Sequence, residues 1–452
     1  MMPRPKQLAL FETDASPVSD NGTSYFSDPS FAVNKTLPIH RWVPWIAGFS
    51  SSFVRDTLDT FKSAGTVLDP FSGVGTTLVE AILLGHNVIG FEINPYAALA
   101  CRVKINAHRI SAERLHTELA ELHTFYRDKV SSGYKPESTP PQGFRTRSEF
   151  YSPKVLYKVL ILQDFINTIA DSDMRNLFRL AFASTMVRYS NYSYEPSLGR
   201  RVSAGKSEIH DFPVGQTVIA KLLEMAEDIA WFQDNLPEGS QEAKVHNASF
   251  FEYQEYLAPS SVDLVITSPP YLNNYHYNRN TRPQLYWLGY AERPKDLKPL
   301  EHSNFGKYWQ TVRDEDSIDL RFSLPGTDLR ERIQTLRETN SDKGVYGGNG
   351  WANYAASYFN DCHAFSKALK RVLKPQGSAV VVIGNSILQG IMIPTDQYFG
   401  RIAESVGLDL VRIEIPRAER VGNSIIQSDV RVVKAKKSHQ LYEAVVELRN
   451  PA

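Results

Sequence analysis

Short apolar runs ending on an acid or a small polar residue alternate along this chain with stretches of helical period, the pattern of an α/β protein. Val67-Leu68 runs into Asp69, Asn87 to Phe91 runs into Glu92, and Val262-Asp263-Leu264-Val265-Ile266 runs into Thr267. Each reads as a buried strand whose carboxyl end carries a polar group. Leu78 to Leu84 is a helix stopped by Gly85, and Asn94-Pro95 caps and starts another. Serines open a further helix, Ser51 to Phe61. From about residue 102 to 245 the text is mostly helical, with amphipathic runs at Val155 to Ile169 and Met174 to Val187. A polar, aromatic stretch then follows Tyr271 and ends in the glycine-rich Gly344 to Gly350, expected to be flexible. The last third returns to alternation. Tyr354 to Leu373 is a helix stopped by Lys374-Pro375-Gln376-Gly377, Ser378 to Gly384 a strand, and Pro394 to Val406 a helix closed by Gly407. Asp409 to Ile415 and Leu441 to Leu448 are two further strands.

Composition narrows the class. The chain has 452 residues, 42% hydrophobic and 22% charged, enough for a substantial core. No apolar run is long enough to span a membrane, and Met1 to Asp14 lacks a signal core, so the expectation is a soluble, cytoplasmic protein without a membrane partner. Cys101 and Cys362 have no metal-ligand spacing, which predicts neither a metal nor a disulfide framework. Lys plus Arg and Asp plus Glu number 50 each, so any polyanion must be held by a local cluster rather than a global field. Residues 1–30 read as a flexible tail interrupted by Gln7, Leu8, Leu10 and Phe11. That patch resembles the pentapeptide by which bacterial proteins dock on the DNA sliding clamp.

Two motifs carry chemistry. In Asp69-Pro70-Phe71-Ser72-Gly73-Val74-Gly75-Thr76-Thr77 the glycines permit a sharp turn and close approach to a ligand, while Glu92 at the next strand tip can grip ribose hydroxyls. No Lys follows the glycines and the third glycine of a dinucleotide fingerprint is missing, leaving a nucleoside without a pyrophosphate; S-adenosylmethionine fits. In Thr267-Ser268-Pro269-Pro270-Tyr271 the prolines stiffen the backbone and remove two amide donors, so the Ser268 hydroxyl and carbonyl oxygens are free to accept. With the flat face of Tyr271 alongside, they suit a planar ring bearing an amino group, a nucleobase above all; a plain Pro-Pro turn is the alternative. Basic and aromatic residues interleave around Arg145, Arg147, Arg188, Tyr192, Arg200 and Arg201, and again at Arg279 and Arg282. These clusters offer phosphate and base-edge donors, or else belong to solvated helix ends and core packing.

Taken in order, Asp69 to Thr77, Glu92 and Thr267 to Tyr271 resemble the motifs of the S-adenosylmethionine-dependent DNA amino-methyltransferases, in particular the cytosine-N4 branch with its Ser-Pro-Pro-Tyr tetrad. His40 to Ser50 resembles the family's cofactor-side motif, and Arg371 to Gly377 its later sheet elements. The resemblance implies a Rossmann-like methyltransferase fold: a mostly parallel seven-stranded sheet with an antiparallel C-terminal strand, here with a helical insertion. It implies a cofactor-binding half at 31–110, a helical, target-recognizing insertion at 111–244, and a catalytic half at 245–452 with an inserted loop at 272–350. Cofactor contacts would come from His40, Asp69, Pro70, Phe71, Ser72, Gly73, Gly75, Thr76, Thr77, Glu92, Asn94 and Asn247, the last standing where the family usually has Asp. Ser268, Pro269, Pro270 and Tyr271 would form the catalytic site, and Arg188, Tyr192, Arg200, Arg201, Arg279 and Arg282 would contact double-stranded DNA. The implied activity is site-specific methylation of the exocyclic N4 amine of cytosine, beside a restriction endonuclease, in a prokaryotic, nucleoid-associated setting. Adenine-N6 methylation, RNA base methylation and a non-catalytic DNA-recognition subunit stay open at this point.

Overall fold

The computed structural model describes residues 25–45, 48, 50–61, 65–194, 197–239, 241–273, 275–417 and 441–452. Gln7, Leu8, Leu10 and Phe11 lie outside them. The apolar runs form one seven-stranded sheet. Its strands are β1 (Thr66–Asp69), β2 (Asn87–Phe91), β3 (Ala243–His246), β4 (Val262–Thr267), β5 (Leu373–Gly384), β6 (Asp409–Arg417) and β7 (Glu443–Arg449). Across the sheet they lie in the order β6-β7-β5-β4-β1-β2-β3. The C-terminal β7 runs antiparallel to both β5 and β6, and the other pairs are parallel. This is the mostly parallel, Rossmann-like methyltransferase arrangement. From β1 the chain order proceeds outward to β2 and β3 on one side and to β4 and β5 on the other. The crevice at the carboxyl ends of β1 and β4 is therefore the switch point where such sheets bind ligands.

Both faces of the sheet are covered, which is why its strands read as near-continuous apolar runs. Val67, Val88, Leu264, Ile266 and Val380 face one core. That core is shared with α1 (Ser51–Thr60), α2 (Thr76–Leu83), α3 (Pro95–Ile105), α4 (Ala112–Ser131), α5 (Pro153–Thr168), α6 (Ser172–Thr185) and α7 (Val214–Asn235). Leu68, Val265, Ala379 and Val381 alternate to the other face, against α8 (Gly348–Val372) and α9 (Thr395–Ser405). Among the described residues no helix is long and apolar enough to cross a membrane.

Three local expectations are corrected. Gly348 to Gly350 opens α8 instead of forming a flexible link, because Gly348 packs so closely on the Arg337 and Leu336 carbonyls that no Cβ would fit. Lys374 to Gly377 lies within β5; Gln376 at φ 64° and a register shift against β4 absorb Pro375 as an irregular strand start. The stretch after Tyr271 is not irregular throughout, since Leu329–Glu338 is helical and buries Leu329, Ile333 and Leu336 in the second core. In each case tertiary packing outweighs what local glycine and proline content favours.

Candidate active site

Asp69 ends β1 deep in the sheet and accepts a 2.6 Å hydrogen bond from the Thr267 hydroxyl at the end of β4. The two motifs, 198 positions apart, are thereby joined side chain to side chain. Thr77, one residue into α2, donates to the Ile266 carbonyl at 3.3 Å and ties the helix start to the same strand. Burial pushes the Asp69 carboxyl up to about 6, against the bonds from Thr267, Thr77 and the Phe71 amide.

The turn after Asp69 is held from β2. The Ser72 amide and hydroxyl both donate to the Phe91 carbonyl, at 2.9 and 3.0 Å, and the Gly75 amide closes back on the Ser72 carbonyl at 2.7 Å. Gly73 and Gly75 take φ of 50° and 88°, left-handed values that cost other residues about 1–2 kcal/mol. At Gly75 a Cβ would also stand 2.7 Å from Cys101 Sγ on α3. Burial pushes that thiol up to about 12, so Cys101 is packing material and not a nucleophile.

Glu92 follows β2 and spans the turn. Its two oxygens accept from the Gly73 amide at 2.9 Å and the Asn94 amide at 2.7 Å. Each oxygen keeps a second lone pair for a ribose hydroxyl. Burial pushes the Glu92 carboxyl up to about 7 despite those amide bonds. Asn94 caps α3 through its Oδ1 and sends its Nδ2 to Asn278 and Thr281, at 3.2 and 2.7 Å, beyond the tetrad. Asn247, just past β3, donates to the Glu92 and Ile93 carbonyls at 2.8 and 3.1 Å. The donor set fits a nucleoside: an acid at a strand tip, a glycine turn with no Cβ in the way, and no Lys or Arg from Pro70 to Thr77 to match a pyrophosphate.

Asn247→Asp, which restores the residue usual in the family, is therefore expected to weaken cofactor binding here. The carboxylate cannot donate and would face two carbonyl oxygens. Titration calorimetry with S-adenosylhomocysteine should read a loss of about tenfold, the worth of one to two hydrogen bonds; equal or tighter binding contradicts the latch.

His40 has a different setting. Its Nε2 lies 2.7 Å from Glu80 Oε1 on α2, both side chains buried, and Arg55 Nε takes the other Glu80 oxygen at 2.6 Å. Burial pulls the His40 pKa down, so the imidazole is a neutral donor that locks its segment onto α2. Its Nε2 is spent on Glu80, which leaves that nitrogen nothing to offer a ligand.

At the tetrad, Pro269 is buried while Ser268, Pro270 and Tyr271 are half-exposed at the crevice. Ser268 Oγ lies 3.4 Å from the Tyr271 hydroxyl, which lies 3.3 Å from Glu443 Oε1 at the start of β7. The turn is closed by the Asn273 amide on the Tyr271 carbonyl and by the Ser386 hydroxyl on the Leu272 carbonyl, at 2.7 and 2.6 Å. Glu443 went unnoticed in the sequence because nothing local marks it; only the sheet brings it across 172 positions.

The candidate DNA contacts divide. Arg188, Arg200 and Arg279 are exposed, and Arg201 donates its Nε to the Ser207 carbonyl at 2.9 Å. Arg282 is half-buried with its guanidinium 5.6 Å from the Tyr286 ring centre. Tyr192 is not at the surface: it is 7% exposed, stacks on Phe150 at 5.5 Å and accepts from the Ser148 amide. It supports the hairpin made by Tyr192–Tyr194 and Leu198–Arg200 from beneath.

Residues 57–101, which span the end of α1, β1, the glycine turn, α2, β2, Glu92 and the opening of α3, match a family model described as DNA methylase. Relatives matched over most of their length are described as Type II methyltransferases. Together these matches support the DNA amino-methyltransferase family for this chain. Its alignment with the Type II methyltransferase M.BsoBI of Geobacillus stearothermophilus is 26% identical over 435 residues, 87% of this chain and 83% of that protein. The Type II methyltransferase M.AvaI of a Nostoc strain is 23% identical, over 85% of this chain and 82% of its own. M.MvaI of Kocuria varians is 22% identical, over 78% and 77%. The methyl donor of this methyltransferase is S-adenosylmethionine, in keeping with the family and with the donor set around Glu92.

Proposed function

We propose that this methyltransferase modifies the exocyclic N4 amine of cytosine at specific sites in double-stranded DNA, as the modification partner of a restriction endonuclease. The observation that carries the reading is the Thr267 to Asp69 bond. It puts the amine-accepting tetrad and the nucleoside-binding turn at adjacent strand tips of one crevice. The three Type II relatives support DNA as substrate.

S-adenosylmethionine supplies an electrophilic methyl group, so the residues of the chain have mainly to position and orient. Asp69 holds Thr267, which anchors the start of the tetrad. Pro269 and Pro270 keep the backbone from relaxing away from the incoming base. The Ser268 hydroxyl directs its own proton toward Tyr271 and turns its lone pairs outward. With the Pro269 carbonyl it accepts the amine protons and aims the nitrogen lone pair at the methyl group. Tyr271 stacks on the base once it has left the duplex, and Glu443 holds its hydroxyl. The helical region 111–244 carries target recognition in this reading. Ser as the first tetrad residue, usual for cytosine-N4 enzymes of the family, supports cytosine.

The test is to digest DNA from a host expressing the protein to nucleosides and separate them by mass. N4-methylcytosine, absent from the untransformed host, is the expected product. N6-methyladenine in its place overturns the choice of base, and no modified nucleoside in DNA overturns the function.

A further inference from the structure

The chain has no net charge, yet three stretches far apart in sequence concentrate arginine: 143–150, 188–201 and 275–282 hold seven arginines, no lysine and only two glutamates. The fold stitches these stretches together. The Asn191 amide donates to the Phe150 carbonyl at 2.8 Å, and the Ser148 amide to the Tyr192 hydroxyl at 3.3 Å, which fixes the first stretch along the hairpin. On the hairpin's other side, Asn280 accepts at its Oδ1 from the Leu198 amide at 3.1 Å and at its carbonyl from the Tyr194 hydroxyl at 3.0 Å. Asn280 is 7% exposed, so this is a buried seam and not a surface touch. The seam reaches the active site in two ways: Asn280 lies nine positions past Tyr271, and Asn94, beside Glu92, bonds Asn278 and Thr281.

Arg145, Arg147, Arg188, Arg200 and Arg279 are all exposed, and among the described residues none has a carboxylate partner. Elsewhere Arg41, Arg55, Arg114, Arg332 and Arg337 are each held by an acid. Within the seam the acid at hand is Glu149, with Glu195 outside the described residues. Clustered guanidinium groups left without acids repel one another and gain most from a regularly spaced polyanion. We propose that these three stretches form one composite face that grips the phosphate backbone of duplex DNA, with Arg145 and Arg147 as contacts alongside Arg188, Arg200 and Arg279. The inference rests on the reading of DNA as substrate. It adds that the gripping surface joins the helical insertion to the segment after the tetrad, so the duplex is held by the same body that receives the base.

The test uses the full chain with Arg145→Ala and Arg147→Ala together. Binding of a random-sequence duplex is followed by fluorescence anisotropy across salt concentrations, and S-adenosylhomocysteine binding by calorimetry. Two lost phosphate contacts should lower the slope of log K against log salt by about 2 and weaken binding about tenfold or more at low salt. S-adenosylhomocysteine affinity should be unchanged. The matched control is Arg109→Ala with Arg330→Ala, exposed arginines outside the face, which should leave both readings alone. A wild-type protein that methylates duplex DNA, beside a double variant that binds it with wild-type affinity and slope, overturns the face alone. So does an equal loss in the control. A wild-type protein inert on duplex DNA but active on RNA overturns the functional reading itself.

Discussion

Replacing Gly75 with valine is expected to weaken cofactor binding about 100-fold. Two independent physical costs meet at that position. Gly75 sits at φ 88°, where a β-branched residue pays the left-handed penalty of about 1–2 kcal/mol and more. Its Cβ would also stand 2.7 Å from Cys101 Sγ and 3.4 Å from Cys101 Cα, inside a helix that cannot retreat without opening the core. Relief must come from moving the turn, and that turn positions the Gly73 amide on Glu92 and the start of α2 on β4. A displacement costing about 3 kcal/mol corresponds to a loss of about 100-fold in S-adenosylhomocysteine affinity, readable by calorimetry. Pairing Gly75→Ala with Cys101→Ala separates the two costs, since it removes the sulfur and keeps the backbone strain. Partial recovery relative to Gly75→Ala alone is expected. Wild-type affinity in Gly75→Val contradicts the assignment of the turn to the cofactor.

The opposite pattern is expected at the tetrad. Ser268→Ala removes an acceptor for the amine protons, a kind of loss that costs about 100-fold or more when the contact tightens only in the transition state. Tyr271→Ala removes a stacking face worth about 1–3 kcal/mol, hence about 5- to 150-fold in kcat/KM. Tyr271→Phe keeps the ring and loses the hydroxyl that links Ser268 to Glu443, so a smaller drop of about tenfold is expected. In all three, S-adenosylhomocysteine should bind as in wild type, because the Ser268 and Tyr271 hydroxyls bond one another and Glu443, on the tetrad side of the crevice. Radiolabelled methyl transfer to duplex DNA and calorimetry together provide the check. Loss of cofactor binding in both alanine variants would falsify the division of labour between the two strand tips.

The placement of the glycine turn and the tetrad at strand ends was legible in the sequence because the signals are local: apolar runs ending at Asp69, Glu92 and Thr267, glycines where the backbone must turn, and consecutive prolines where it must stay rigid. Where a local signal met stronger packing, it failed. Gly348 to Gly350 joined a long helix, and Lys374 to Gly377 joined a strand.

What the sequence by itself determined is the alternation of strands and helices, the polar groups placed at the strand ends and, through the resemblance they carry, an S-adenosylmethionine-dependent methyltransferase. Those follow from backbone preference and hydrophobic period, which act over a few residues. The tertiary structure alone decided which groups meet: Thr267 with Asp69, Tyr271 with Glu443, Gly75 with Cys101, His40 with Glu80, and Asn280 with the hairpin. It also joined the arginine-bearing stretches 143–150, 188–201 and 275–282 through the Asn191–Phe150 and Asn280–Leu198 bonds. Partners 26 to 198 positions apart are chosen by strand order and core packing. No short-range rule along the chain contains that information.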